Sequence, residues 1–132
     1  MDMKLELVPV PVTDIDRAKT FYVEKLGFNV DHDTRISDTV RIVQLTPAGS
    51  ACSIVIGTGM GEISEMQTGS VKGLHLVVGD VREARDMLTS RGVEVGDVIE
   101  YPQDIKFVGF SDPDGNSWLF QEMPWRASEF NT

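Results

Sequence analysis

Apolar positions along the chain follow two periods, and the switch between them occurs twice. Leu5 to Val12 is apolar with β-branched residues and predicts a strand. Pro9 and Pro11 lack amide donors, so this strand pairs along part of its length or lies at an edge. Thr13 or Asp14 caps the helix that follows, and Thr13 with Asp16 fits a capping box. Ile15, Ala18, Phe21, Tyr22 and Leu26 then fall on one helical face. Gly27 stands where a left-handed residue ends a helix. Phe28 to Asp33, Val40 to Thr46 and Ala51 to Ile56 predict three more strands, with a turn at Thr46-Pro47-Ala48-Gly49.

The second half has the same plan. Lys72 to Val78 predicts a strand and Asp80 a cap, with Glu83 as its reciprocal partner. Val81, Ala84, Met87 and Leu88 form the apolar helix face, and Gly92 ends it. Val93 to Ile99, Ile105 to Phe110 and Asn116 to Met123 predict strands, the last two joined by the turn Asp112-Pro113-Asp114-Gly115. Asp14 and Asp80 are 80 − 14 = 66 residues apart. Val12 and Val78, Ala18 and Ala84, Pro47 and Pro113, and Gly49 and Gly115 keep that offset, which is half of the 132 residues. A constant offset of this kind marks an internal repeat. Gly57 to Gly69 has no period and predicts a linking loop. Its glycines are wrongly spaced for a nucleotide loop. The Asp112 turn lacks the closing glutamate of a calcium loop.

Composition narrows the partners. A net charge of −9 argues against nucleic acid and against an anionic membrane surface. The single cysteine, Cys52, permits no internal disulfide, so a reducing cytoplasm is the expected location. No signal-peptide core or membrane-length apolar run is seen. At this length one domain over residues 1–132 is expected: module one 4–57, linker 58–70, module two 71–123 and tail 124–132. In the tail, Trp125 and Phe130 are expected to cover apolar surface in this chain or a partner.

The doubled strand-helix-strand plan, the Val12-Thr13-Asp14 entry to the first helix, Phe21-Tyr22 with Leu26-Gly27-Phe28, and Asp112-Pro113-Asp114-Gly115-Asn116 together resemble one family. It is the vicinal oxygen chelate superfamily of glyoxalases, bleomycin resistance proteins, fosfomycin-resistance enzymes and extradiol dioxygenases. The resemblance implies an α+β fold. Two tandem βαβββ modules would form a curved eight-stranded mixed sheet with a concave cleft. Family enzymes bind a divalent metal at positions that fall here on Leu7, Ser53, Gly73 and Leu119. Leucine and glycine cannot ligate and a lone serine ligates poorly, so no metal and no cofactor are expected.

Strand alternation then turns Leu7, Ser53, Gly73, His75, Val77, Ser117, Leu119 and Gln121 towards the cleft as ligand-binding candidates. Cys52, Ile54, Trp118 and Phe120 would face the helices, and Glu6 and Glu122 would lie on the face away from the cleft or at strand ends. His75 is the strongest candidate, weighed against an ordinary sheet histidine. Arg41, Gln44, Tyr101 and Phe107 have no facing that the pattern decides. Two functions from the family are carried forward. One is a protein that binds a small organic molecule, working as a homodimer as family members commonly do. The other is a lyase, isomerase or dioxygenase with relocated ligands or metal-free chemistry. An interaction module with a filled cleft is the third possibility.

Overall fold

In a computed structural model, which describes residues 1–130, the chain divides into two compact units. The first comprises residues 1–71 with 113–116, and the second residues 72–112 with 117–130 among those described. Each contains the order strand, helix and three strands.

In the first unit the strands are β1 (Leu7–Pro9), β2 (Asn29–Arg35), β3 (Arg41–Thr46) and β4 (Ser53–Thr58). They lie in the order β1-β4-β3-β2, with β1 parallel to β4 and the other pairs antiparallel. Register places Leu45 beside Ile54 and Val43 beside Ile56, all buried. Ala18, Phe21 and Tyr22 of the helical segment are buried too, with Tyr22 packing edge-on to Phe21 and tilted against Phe28. Helix α1 (Ile15–Thr20) runs into a π-helical turn, Phe21–Lys25. Gly27 closes the segment at φ +75°, a conformation that costs glycine little.

Asp14 is the helix cap, accepting from the Arg17 amide at 3.0 Å. The expected Thr13–Asp16 box does not form. Thr13 instead donates its amide and hydroxyl to Asp114 Oδ1, at 3.2 and 2.6 Å, a contact across 101 residues. Nearby, Asn116 donates Nδ2 to the Pro11 carbonyl and accepts from the Val71 amide, at 2.9 and 3.1 Å. The Asp112 turn thus supplies residues 113–116 to the first unit.

The second unit holds β5 (Leu74–Val77), β6 (Ile99–Tyr101), β7 (Ile105–Ser111) and β8 (Ser117–Glu122), in the order β5-β8-β7-β6. Helix α2 (Val81–Ser90) begins at Asp80, which accepts from the Arg82 and Glu83 amides. Val108, Phe110, Trp118 and Phe120 are buried, as are Val81 and Leu88 of the helix. The strand expected over Val93 to Ile99 is reduced to one bridge, Val95 to Phe110, and pairing resumes at Ile99. The linker between β6 and β7 is tight, with Gln103 and Asp104 both at positive φ, 70° and 58°. That two-residue kink sets which part of the upstream chain reaches β7. The tail forms a 3₁₀ segment, Pro124–Glu129, and its last two residues, 131–132, lie outside those described.

Candidate functional site

Each sheet has a helix-facing side and an open side, and register decides which residues occupy the open one. In the second unit, His75 lies opposite Leu119, which lies opposite Gly109. Val77 lies opposite Gln121, then Phe107, then Ile99. One pair further, Tyr101 lies opposite Ile105. These residues alternate with Trp118, Phe120 and Glu122. Glu122 accepts from the α2 amide of Val81 at 2.9 Å, which fixes the helix side.

The open side therefore carries a row of three rings. His75 and Phe107 meet edge to face with centroids 5.8 Å apart, and Phe107 and Tyr101 do the same at 5.5 Å. Such geometry sets the positive edge of one ring against the negative face of the next. Tyr101 and Ile99 are about half exposed, at 53% and 52%. Beside the row is an open depression of about 650 Å³, lined by Gly73, Glu94, Val95, Gly96, Gly109, Phe110, Ser111, Asp112, Ser117, Trp118 and Leu119.

Among the sequence candidates, this unit brings His75, Leu119, Val77 and Gln121 onto paired positions, while Gly73, Ser117 and Leu119 border the depression. Ser117 Oγ accepts from the Gly73 amide at 2.8 Å, tying the start of β5 to β8. Phe107 and Tyr101, whose facing the pattern left open, stand in the ring row. Gly109 was missed. The alternation Ile105, Phe107, Gly109 was the available signal.

The first unit's open side carries Leu7 and Ser53 as paired residues. Ser53 is buried, and a chain of hydrogen bonds runs through it. Gln44 Nε2 donates to Ser53 Oγ at 3.1 Å, and the Ser53 and Thr46 hydroxyls are 2.6 Å apart. Thr46 donates to Asp31, which also accepts from Asn29 at 2.9 Å. Those bonds, Thr46 first, hold the Asp31 carboxyl below the usual range. Gln44 also donates to Glu6 at 3.1 Å, so Glu6, at the strand end just before β1, reaches the Ser53 side. The Gln44 amide draws it there.

Arg41 goes to the helix side. It donates to Asp33 at 3.0 Å and to Asp16 of α1 at 2.8 Å, while Lys19 donates to Asp33 at 2.7 Å. Arg41, then Lys19, hold the Asp33 carboxyl far below the usual carboxylate range. The folded pKa lies below the unfolded one. The cluster therefore stabilises fully above pH ~4 and loses that contribution as pH falls below it. Water reaches part of the cluster, with 24% of the Asp33 side chain exposed, so its worth is modest. Asp33→Asn should cost about 1 kcal/mol at pH 7, and the difference from the parent should shrink below pH ~4. Urea unfolding at pH 7 and pH 3 checks both statements; a difference independent of pH would contradict the assignment.

The four family metal positions do not make a donor set. Leu7, Gly73 and Leu119 have no ligating atom, and the Ser53 hydroxyl sits between Gln44 and Thr46. Register also revises the equivalence drawn by counting. Leu7 pairs with Ser53, but the residue paired with Leu119 is His75, two places beyond Gly73. The offset changes after β5: Val10 and Val78 make equivalent amide bonds, to the Val55 and Gln121 carbonyls, but the helix cap follows four residues after Val10 and two after Val78. One imidazole is left among the four places. Among the described residues no group of three or more His, Cys, Asp or Glu side chains is placed to hold a metal ion.

A sequence profile of the Glyoxalase/Bleomycin resistance protein/Dioxygenase superfamily matches residues 4–120. The chain belongs to that superfamily. TnmS3, described as an antibiotic binding protein from Streptomyces sp. CB03234, is 34% identical with a TM-score of 0.81, covering 92% of this chain and 97% of that one. A superfamily member from Sphaerobacter thermophilus DSM 20745 is 29% identical with a TM-score of 0.80, covering 92% and 98%. The uncharacterized protein YetH of Bacillus subtilis (strain 168) is 28% identical over 126 residues, 92% of this chain and 100% of YetH. Among the described residues no helix is long and apolar enough to cross a membrane.

Proposed function

We propose that this chain binds a small organic molecule carrying an aromatic ring on the open side of its second sheet. It holds that molecule without converting it and without a metal ion. The observation that carries this reading is the row His75, Phe107, Tyr101, in which Phe107 meets each of the other two rings edge to face, with an open depression lined by Leu119 and Gly109 next along the sheet. Rings locked by their neighbours offer large contact area at low entropic cost. The 34% identity to an antibiotic binding protein supports the same class of role. Homodimerisation in a reducing cytoplasm belongs to this reading, with Trp125, 60% exposed, available as contact area. A monomer mass in light scattering would remove that part.

The test is calorimetric titration of the purified protein with a panel of polycyclic aromatic antibiotics, with and without a chelator. Saturable binding at one site per chain is expected, unchanged by the chelator, with the compound recovered intact by mass spectrometry. A converted product would favour the enzymatic alternative. No saturable binding across the panel would end the proposal.

A further inference from the structure

The ring row also has a polarity, set by one hydrogen bond. His75 Nδ1 lies 2.7 Å from the Gly73 carbonyl oxygen. A carbonyl oxygen can only accept, so Nδ1 carries a proton, and in the neutral imidazole the Nε2 lone pair is left as an acceptor. His75 is exposed, and its imidazole packs edge-on with Phe107, so that acceptor belongs to the aromatic row. The neighbouring depression adds no cationic donor: Glu94 brings a carboxylate, and no Lys, Arg or His is among the lining residues. Ionised carboxylates accept and do not donate.

Resting on the aromatic-binding reading, we infer that the bound molecule is a planar aromatic bearing a hydrogen-bond donor on its rim, a phenolic hydroxyl or ring N–H, directed at His75 Nε2. An ether or carbonyl at that place would set acceptor against acceptor and leave both unsatisfied. Gly73 has a part in this that no side chain reports. Its carbonyl fixes the tautomer, and a Cβ built on it would meet nothing within 4 Å, so space stays open beside the imidazole.

The experiment compares 1-naphthol with 1-methoxynaphthalene, one donor apart, on the whole protein and on His75→Phe, which keeps an aromatic edge and removes the acceptor. The intact protein should prefer naphthol by about fivefold, and His75→Phe should lose the preference while still binding methoxynaphthalene. Equal affinities in the intact protein, or a preference that survives His75→Phe, would overturn the inference while leaving aromatic binding in place. If neither probe binds, the parent reading falls and this one with it. A second measurement needs no probe or variant. The ¹⁵N shifts of the His75 ring in the neutral, free protein should report a proton on Nδ1; the Nε2–H tautomer would overturn the inference.

Discussion

Asn116→Asp should lower the free energy of unfolding by about 3 kcal/mol at pH 7, although the two side chains have the same shape. Asn116 is fully buried and serves two partners of opposite kind, the Pro11 carbonyl through Nδ2 and the Val71 amide through Oδ1. An aspartate keeps the second bond. It turns the first into oxygen facing oxygen, and it carries a charge where little water reaches. Burial and the facing carbonyl both disfavour ionisation, so the variant's folded pKa rises above its unfolded one. The penalty is then complete above the folded pKa and fades as pH falls through it, since a protonated carboxyl can donate to Pro11. Urea unfolding at pH 7 and pH 5 should show the deficit narrowing. An unchanged midpoint at pH 7 would mean that this clasp contributes nothing to stability.

Phe107→Ala should weaken binding of a polycyclic aromatic by about 10- to 30-fold, while Phe107→Tyr stays within about threefold of the parent. Phe107 is the middle ring, in contact with both His75 and Tyr101, so its loss removes its own face and frees its two neighbours to turn. The residue is only half-buried and stands on the side away from α2, so folding should suffer less than binding. Isothermal calorimetry read beside thermal unfolding separates the two effects. Equal affinity for parent and alanine variant would place the guest elsewhere on the molecule.

What the sequence makes legible follows the range of the interactions. Asp14 and Asp80 cap helices through amides two or three residues away, so their roles can be read from the local pattern. Gly27 and Gly92 likewise take the positive φ their places demand, 75° and 81°. The Thr13 hydroxyl is local in only one of its bonds: it accepts from Arg17 Nη2 at 3.1 Å but donates to Asp114, and no short window contains that second partner. Register was the second limit. Counting made Gly73 the counterpart of Leu7, whereas pairing gives that place to His75, because the connection from strand to helix cap is two residues shorter in the second unit. The ring row was out of reach for the same reason. The facing of Tyr101 and Phe107 depends on the left-handed pair Gln103 and Asp104; aspartate tolerates positive φ better than most residues, but glutamine gives no such signal. The chain Gln44, Ser53, Thr46, Asp31 spans three strands, so it exists only once they are paired.

The placement of residues 113–116 in the first unit also sets an order of events on the ribosome. When residue 71 has been synthesised, every strand and helix of that unit is present, yet Thr13 lacks Asp114 and the Pro11 carbonyl lacks Asn116. Those partners arrive more than 40 residues later, on the turn between the last two strands. At roughly 5–20 residues per second the wait lasts seconds, far longer than a helix or hairpin needs to form. The unit made first is therefore completed only when most of the second has already been synthesised, and a nascent chain stopped in the linker carries an unfinished N-terminal unit.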